Sequence, residues 1–258
     1  MVSEACPTNP REASGLDPEA VHVVYTAQGT RGTVDSIDFD LGEALADMDD
    51  DNRTIVVRLL EIYEALVSQN EAEEGEPVTA YKSIDIEALP NVLDRTAWEG
   101  SATQIAGRLA SNLILTHPLP NANHRTAVAL VQFYLRRFDA SFMLPETVTG
   151  TEEWHAWVDE YITDSKRLLT VRRNNVLFKH LRRFGTTTVE RKHGVEIDLP
   201  DYELDMYPSE AKQIYATEHE HLWITFVEDA VERAEKPELR DAPGLSKAAF
   251  ADAIRDLR

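Results

Sequence analysis

The chain holds a single cysteine, Cys6, in 258 residues. One thiol excludes an internal disulfide and a cysteine-built zinc site. No apolar run approaches the ~20 residues that cross a bilayer. The longest apolar stretches are broken by charge, as in Ile55-Val56-Val57-Arg58-Leu59-Leu60. The opening Met1-Val2-Ser3-Glu4-Ala5-Cys6-Pro7 lacks the basic patch and apolar segment of a secretory leader. The expectation is a cytoplasmic protein without membrane association. Lysine is scarce, with 7 Lys against 19 Arg, and the 26 cations together face 46 Asp+Glu, for a net charge of −20. No basic stripe is available to neutralise a phosphate backbone, so direct nucleic-acid binding is not expected. A solvated acidic surface with few lysines suits a cytoplasm at molar salt, where the Debye length falls to about 3 Å. That favours a halophilic origin over an ordinary acidic protein.

What the chain does have is enough apolar content, 43%, for a proper core, and a length that suits one or two domains. Residues 1–20 are rich in Pro, Ser, Glu and Ala and read as a flexible extension. Val21 to Tyr25 reads as a short strand. The acidic run Asp47 to Asp51 belongs before a helix N-terminus, where the dipole favours negative charge. A helix is predicted over 53–68, with Ile55, Leu59, Tyr63 and Leu66 on one face and a break at 71–77. Val78 to Pro90 reads as a hairpin-like loop. Strong helical periodicity runs from Ser101 to Thr116, where Pro118 and Pro120 stop it. A second helix starts near Asn123 and runs to about Phe138. Thr149 with Glu152 has the form of a capping box opening a helix with Trp154 and Trp157, and a separate helix is predicted over 167–184. After Gly185 a hairpin is expected around His193-Gly194, then helices over 209–235 and 245–257. The organisation predicted is an extension (1–50), a helical domain (51–185) and a smaller α+β extension (186–258).

The most unusual stretch is His117-Pro118-Leu119-Pro120-Asn121-Ala122-Asn123-His124-Arg125-Thr126-Ala127. A helix ends, a short polar loop follows and a helix begins. The new N-terminus presents free backbone N–H groups and a positive dipole end, which suits an anion such as phosphate. Ala122 is small enough to let a phosphate approach the backbone, and Asn123 can cap the helix or hold an oxygen. Arg125 in the first turn opposes the dipole, a placement that an anion beside it would explain. His117 stands at the other lip, where an imidazole can take a proton from an attacking hydroxyl. A plain Asn-capped helix after a Pro-containing turn is the structural alternative.

This segment resembles the signature loop of the Fic/Doc (Fido) family, His-x-Phe-x-Asp/Glu-Gly/Ala-Asn-Gly/Lys-Arg, most closely in its Doc (death-on-curing) branch. His117, Ala122, Asn123 and Arg125 match in place, and Thr126-Ala127 and Phe133-Tyr134-Leu135 continue the likeness. The resemblance implies a mainly α, compact helical bundle with a short β-hairpin flap over Val78 to Pro90 that aligns a target segment. It implies transfer from ATP to a protein hydroxyl: AMP in most members, the γ-phosphoryl group in Doc-type ones. The implied partners are a protein substrate, a translation GTPase for the Doc branch, and an antitoxin protein. His117 would be the general base. Ala122, Asn123, His124 and Arg125 would hold the phosphates, and Asn121 stands where the family's Mg²⁺-binding acid stands. Leu119 replaces the motif Phe, His124 replaces Gly or Lys, and Val128 occupies the place of the second Arg of AMP-transferring members. That last difference favours phosphoryl transfer over AMP transfer. An amide binds Mg²⁺ less well than a carboxylate, so Asn121 also keeps open a third reading, an interaction module without catalysis.

Glu218-His219-Glu220-His221 has metal-ligand composition but not the His-x-x-x-His spacing of a zinc helix, and reads as a solvated polar helix. The pairs Arg172-Arg173 and Arg182-Arg183 read as partners in salt bridges.

Overall fold

Asp49 starts the helical body. Its carboxylate accepts from the Asn52 backbone N–H at 2.8 Å and caps helix α2, after a short helix α1 (Leu41–Ala46). With Asp50 and Asp51 in the first turn, the acidic run lies where the dipole stabilises it. Helix α2 covers Asp50–Glu74, six residues beyond the predicted end. Glu and Ala at 71–74 are good helix formers, so the helix ends only at Gly75, whose φ of 72° supplies the left-handed cap and donates to Glu71 O. The computed structural model describes residues 22–23, 32–33, 41–75, 77–149, 153–191 and 194–257. The expected extension 1–20, Glu152 and His193 lie outside the described residues.

Two strands, β1 (His22–Val23) and β2 (Gly32–Thr33), precede α1. After α2 come β3 (Thr79–Ala80), α3 (Leu89–Asp94), α4 (Ala102–Thr116), α5 (Asn123–Leu135) and α6 (Ala156–Arg183). Strands β4 (Thr188–Arg191) and β5 (Val195–Asp198) then lead to α7 (Pro208–Arg233) and α8 (Lys247–Arg255). The fold is mainly α, with two small sheets. Helix α4 has a complete capping box: Ser101 accepts from Gln104 N, and Gln104 Oε1 accepts from Ser101 N.

Two expectations change in α6. Thr149 does not open it, because Val148 and Trp154 form an isolated antiparallel bridge and the helix begins at Ala156. The separate helix expected over 167–184 is the continuation of α6, which departs from helical geometry only at Asn174 (φ −115°, ψ 18°). There the side-chain amide donates to Thr170 O at 2.8 Å, a local bond that competes with the helical ladder. Helix α5 ends at Leu135 rather than near Phe138, and α3 stands where no helix was predicted.

By its contacts the chain forms two units, Met1–Gln28 with Thr163–Glu218, and Gly29–Ile162 with His219–Arg258. The first holds the sheet β1-β4-β5, with β1 parallel and β5 antiparallel to β4. The predicted hairpin is there, turned at Gly194 with φ 70°. In β5 Val195 and Ile197 are buried while Glu196 and Asp198 are exposed, the period of two expected of a half-buried strand. The core of this unit joins Val171, Phe178, Val189, Ile197, Leu204 and Tyr215. Arg182 pairs with Asp205 at 2.8 Å, as the sequence led one to expect of the paired arginines.

The second unit packs α4 and α2 against α5, with α8 on α2. Ile55, Leu59 and Tyr63 of α2, Ile105, Leu109 and Leu113 of α4, and Leu130 and Tyr134 of α5 are all buried. The predicted apolar faces are therefore the core faces. Gly107 of α4 lies against the backbone of α7: a Cβ there would come within 2.6 Å of Ile224 Cα. At the far end, Lys247 reaches Asp94 at 2.9 Å and Arg255 reaches Asp51 at 2.8 Å.

Candidate functional site

The signature loop is built between two helix ends in left-handed conformation. His117 closes α4 with φ 53° and ψ 52°, and Ala122 precedes α5 with φ 55° and ψ 22°. Such angles are uncommon outside glycine, although His tolerates them better than most residues. Two nearby reversals of this kind compress the loop into four residues.

Asn123 holds the loop closed. It is 3% exposed. Its Oδ1 accepts from Leu119 N at 3.1 Å and its Nδ2 donates to Leu119 O at 3.0 Å, a two-point grip on one residue. This pairing fixes the amide orientation, since a flip would oppose donor to donor and acceptor to acceptor. Leu119 itself is fully buried, so an aliphatic side chain anchors the loop. The same Asn123 Nδ2 lies 3.5 Å from His117 Nδ1. A neutral imidazole accepting there carries its proton on Nε2. At 3.5 Å the contact is longer than an ordinary hydrogen bond and holds that tautomer only weakly.

The segment after β3 lies along the loop. Tyr81 N donates to Pro120 O (3.3 Å) and Asp85 N to Pro118 O (2.8 Å). Lys82 Nζ donates to His117 O, and Asn121 Nδ2 donates to Thr79 O (2.8 Å). The structure thus sets part of the Val78–Pro90 segment beside the loop, and β3 pairs antiparallel with β2. Sequence order alone had put a hairpin-like segment there.

Asn121 is engaged at both polar atoms, because its Oδ1 also accepts from Ala122 N at 2.7 Å. A carboxylate would lose the donor to Thr79 O and face that carbonyl with negative charge. Asn121→Asp is therefore expected to lower stability in metal-free buffer by about 0.5–1.5 kcal/mol, the net worth of one part-buried hydrogen bond, read as a lower denaturant midpoint. An unchanged midpoint would show that the Thr79 contact holds nothing.

Helix α5 has no side-chain cap on its first turn. Arg125 in that turn donates from Nη1 to Asn70 Oδ1 of α2 at 2.8 Å, and among the described residues it enters no ion pair. An uncapped helix start beside a guanidinium bonded to a neutral amide fits a phosphate group. Mg²⁺ fits less well. Among the described residues no group of three or more His, Cys, Asp or Glu is placed to hold a metal, and Asn121 is occupied as described. His124 packs its ring 6.2 Å from that of Trp223, which is fully buried. Val128 is 5% exposed and turned into the core.

The chain belongs to the family of unknown function DUF8172. The family model matches residues 9–258, nearly the whole sequence. No curated protein and no solved structure matches it.

Several residues of this DUF8172 site carried no signal in the sequence. Asn70 lies 55 positions from Arg125. Tyr63 is wholly buried in α2, its hydroxyl without a hydrogen-bond partner of normal geometry. Burial pushes that hydroxyl up to about 12, with the nearby Asn121 backbone opposing the shift. His219 corrects the reading of its segment as a solvated polar face. It is fully buried, with Nδ1 2.8 Å from Ser111 Oγ of α4, while Glu220 pairs with Arg108 at 3.1 Å. Glu218 and His221 are exposed, as a solvated face requires, whereas His219 and, in part, Glu220 face polar groups of α4. Trp157 of α6 is half-buried and stacked on Phe226 at 5.6 Å; the buried tryptophan is Trp223.

Proposed function

We propose that this chain is a Doc-like transferase that moves the γ-phosphoryl group of ATP to a protein hydroxyl. The observation that carries the reading is the anion-ready turn: an uncapped α5 N-terminus behind a left-handed Ala122, with Arg125 unpaired by any carboxylate among the described residues. In this arrangement the phosphate oxygens fall to the backbone N–H groups of the first turn and to Arg125. Asn123 shapes the loop rather than holding phosphate, since both its polar atoms are engaged with Leu119. His117 is the base for the target Ser, Thr or Tyr hydroxyl. Acting through Nε2 requires the Nδ1–H tautomer, which the long Asn123 contact leaves accessible. Positioning plus charge stabilisation is most of what phosphoryl transfer asks of a protein. The buried Val128 favours the γ-phosphoryl over the AMP reaction. By the same resemblance the chain acts in the cytoplasm as a toxin or regulator, with a translation GTPase as a candidate target and an antitoxin as a candidate partner.

The occupied Asn121 favours one second reading, an interaction module that keeps the loop and has lost the chemistry. Binding tests the site itself. ATP should raise the thermal midpoint of the wild type in molar KCl and bind by calorimetry. Because the loop supplies no carboxylate, this stabilisation should persist in EDTA. Arg125→Ala should remove it while shifting the unliganded midpoint by only a few degrees, since that side chain is half-buried at the loop. A large loss of stability with ATP binding retained would make Arg125 a structural residue and remove the anion site.

A further inference from the structure

Several arginines of the described chain meet a carboxylate: Arg108 meets Glu220, Arg182 Asp205, Arg233 Asp229 and Arg255 Asp51. A groove between α2 and the C-terminal end of α5 gathers three arginines. Arg58, Arg136 and Arg137 line it, and no Asp or Glu is among its lining residues. Its volume is about 480 Å³, within the range of small-ligand pockets. The guanidinium carbons of Arg58 and Arg137 lie 4.6 and 4.7 Å from the centroid of one ring, Phe133. Two cations sharing one ring repel each other while each gains from the ring. Burial first, then the charges of Arg136 and Arg58, holds the Arg137 guanidinium below its ordinary pKa. The Nε atoms of both Arg58 and Arg137 are buried with no hydrogen-bond partner. Among the described residues the one carboxylate paired with any of the three is Glu61, 2.8 Å from Arg58 at an exposed position, where such a pair stabilises little.

We propose that this groove is an anion site for a small organic ligand in which a carboxylate or phosphate is joined to an apolar body. The charge complementarity is local: it opposes the net charge of −20 that the rest of the chain carries. The guanidinium forks suit a planar or tetrahedral oxyanion by paired hydrogen bonds. The apolar part has its own surface in Phe133, Leu66 and Leu257, the last of these 54% exposed. A bare ion leaves that surface wet, and an apolar molecule leaves the arginines unpaired. The arginine end of the groove is distant from the loop, although Gln69 and Ala129 bring its other end within about a turn of Arg125 and its partner Asn70. Arg136 lies eleven residues after Arg125, about 16 Å along a helix rising 1.5 Å per residue. The inference therefore stands whether or not the loop transfers phosphate.

The test titrates nitrogen-15-labelled full-length protein with four probes: phenyl phosphate, phenylacetate, inorganic phosphate and benzyl alcohol. The readout is the arginine Nε–H signals together with the Phe133 ring. Phenyl phosphate or phenylacetate should shift the Arg58 and Arg137 signals saturably, and the tighter of the two identifies the oxyanion. That binding should be about tenfold or more tighter than inorganic phosphate or benzyl alcohol, and Arg137→Gln should weaken it about tenfold, the loss of one charge-assisted hydrogen bond. Arg58→Gln serves equally should Arg137→Gln not fold. No saturable shift with either aromatic anion, equal binding of inorganic phosphate, or shifts confined to the Arg125 loop would each overturn the proposal.

Discussion

Gly107→Val should lower the thermal midpoint by about 6–12 °C. A Cβ at this position would stand 2.6 Å from Ile224 Cα and 2.7 Å from Ile224 N, atoms of the α7 backbone that cannot rotate away. Overpacking of a well-filled core costs about 1–3 kcal/mol. Contact with backbone rather than a side-chain tip puts this case at the upper end, and each kcal/mol moves the midpoint of a chain this long by about 2–4 °C. A glycine inside a helix is itself unfavourable by roughly 0.5–1 kcal/mol. Its presence in α4 is explained by the close helix crossing, which also brings Ser111 to His219 and Arg108 to Glu220. Gly107→Ala should show a smaller loss in the same direction. A midpoint unchanged in both variants would mean that α4 and α7 do not approach as described.

His117→Ala should reduce transfer by about 10²–10⁴-fold, the usual contribution of general acid–base help. Alanine at φ 53° is strained, so the fold must be checked beside the rate. His117→Asn is the better variant, because Asn accepts the left-handed cap and supplies no base. In both variants ATP binding should remain, because the phosphate contacts belong to the α5 start and Arg125. Transfer at the wild-type rate by His117→Asn would remove the histidine from the chemistry.

How much of this was legible in the sequence depended on how local its cause was. The limits of α4 were readable because Ser101, Gln104 and Pro118 act within a few residues of the helix ends. The β4–β5 hairpin was readable from Gly194 and alternating burial. The reach of α2 to Glu74 was missed because an acidic run was taken for a break when its residues favour helix. The predicted division of α6 was misplaced: the helix kinks at Asn174 (φ −115°, ψ 18°), not near Arg167, because the break is set by the Asn174 amide bonding back to Thr170 O. At the site, the residue types of His117 to Arg125 announced a helix end, a short loop and a new helix start, and that local geometry is there. What the sequence could not tell is that Asn121 is held by Thr79, Arg125 by Asn70 and His219 by Ser111. These are long-range pairings, 42, 55 and 108 residues apart, with no periodicity to mark them. They constrain the loop residues: Asn123 and Asn121 are engaged in holding the loop, so the proposed phosphate contacts fall to Arg125 and the backbone.

The central claim is transfer of the terminal phosphoryl group of ATP by the loop from His117 to Arg125. It is tested most directly with ATP labelled at either the α or the γ phosphate, incubated in molar KCl with Mg²⁺, the full-length protein and lysate of the native host. The account expects protein-bound label from the γ position only, absent with His117→Asn and with Arg125→Ala. Label from the α position, or no protein-bound label from either, would contradict it.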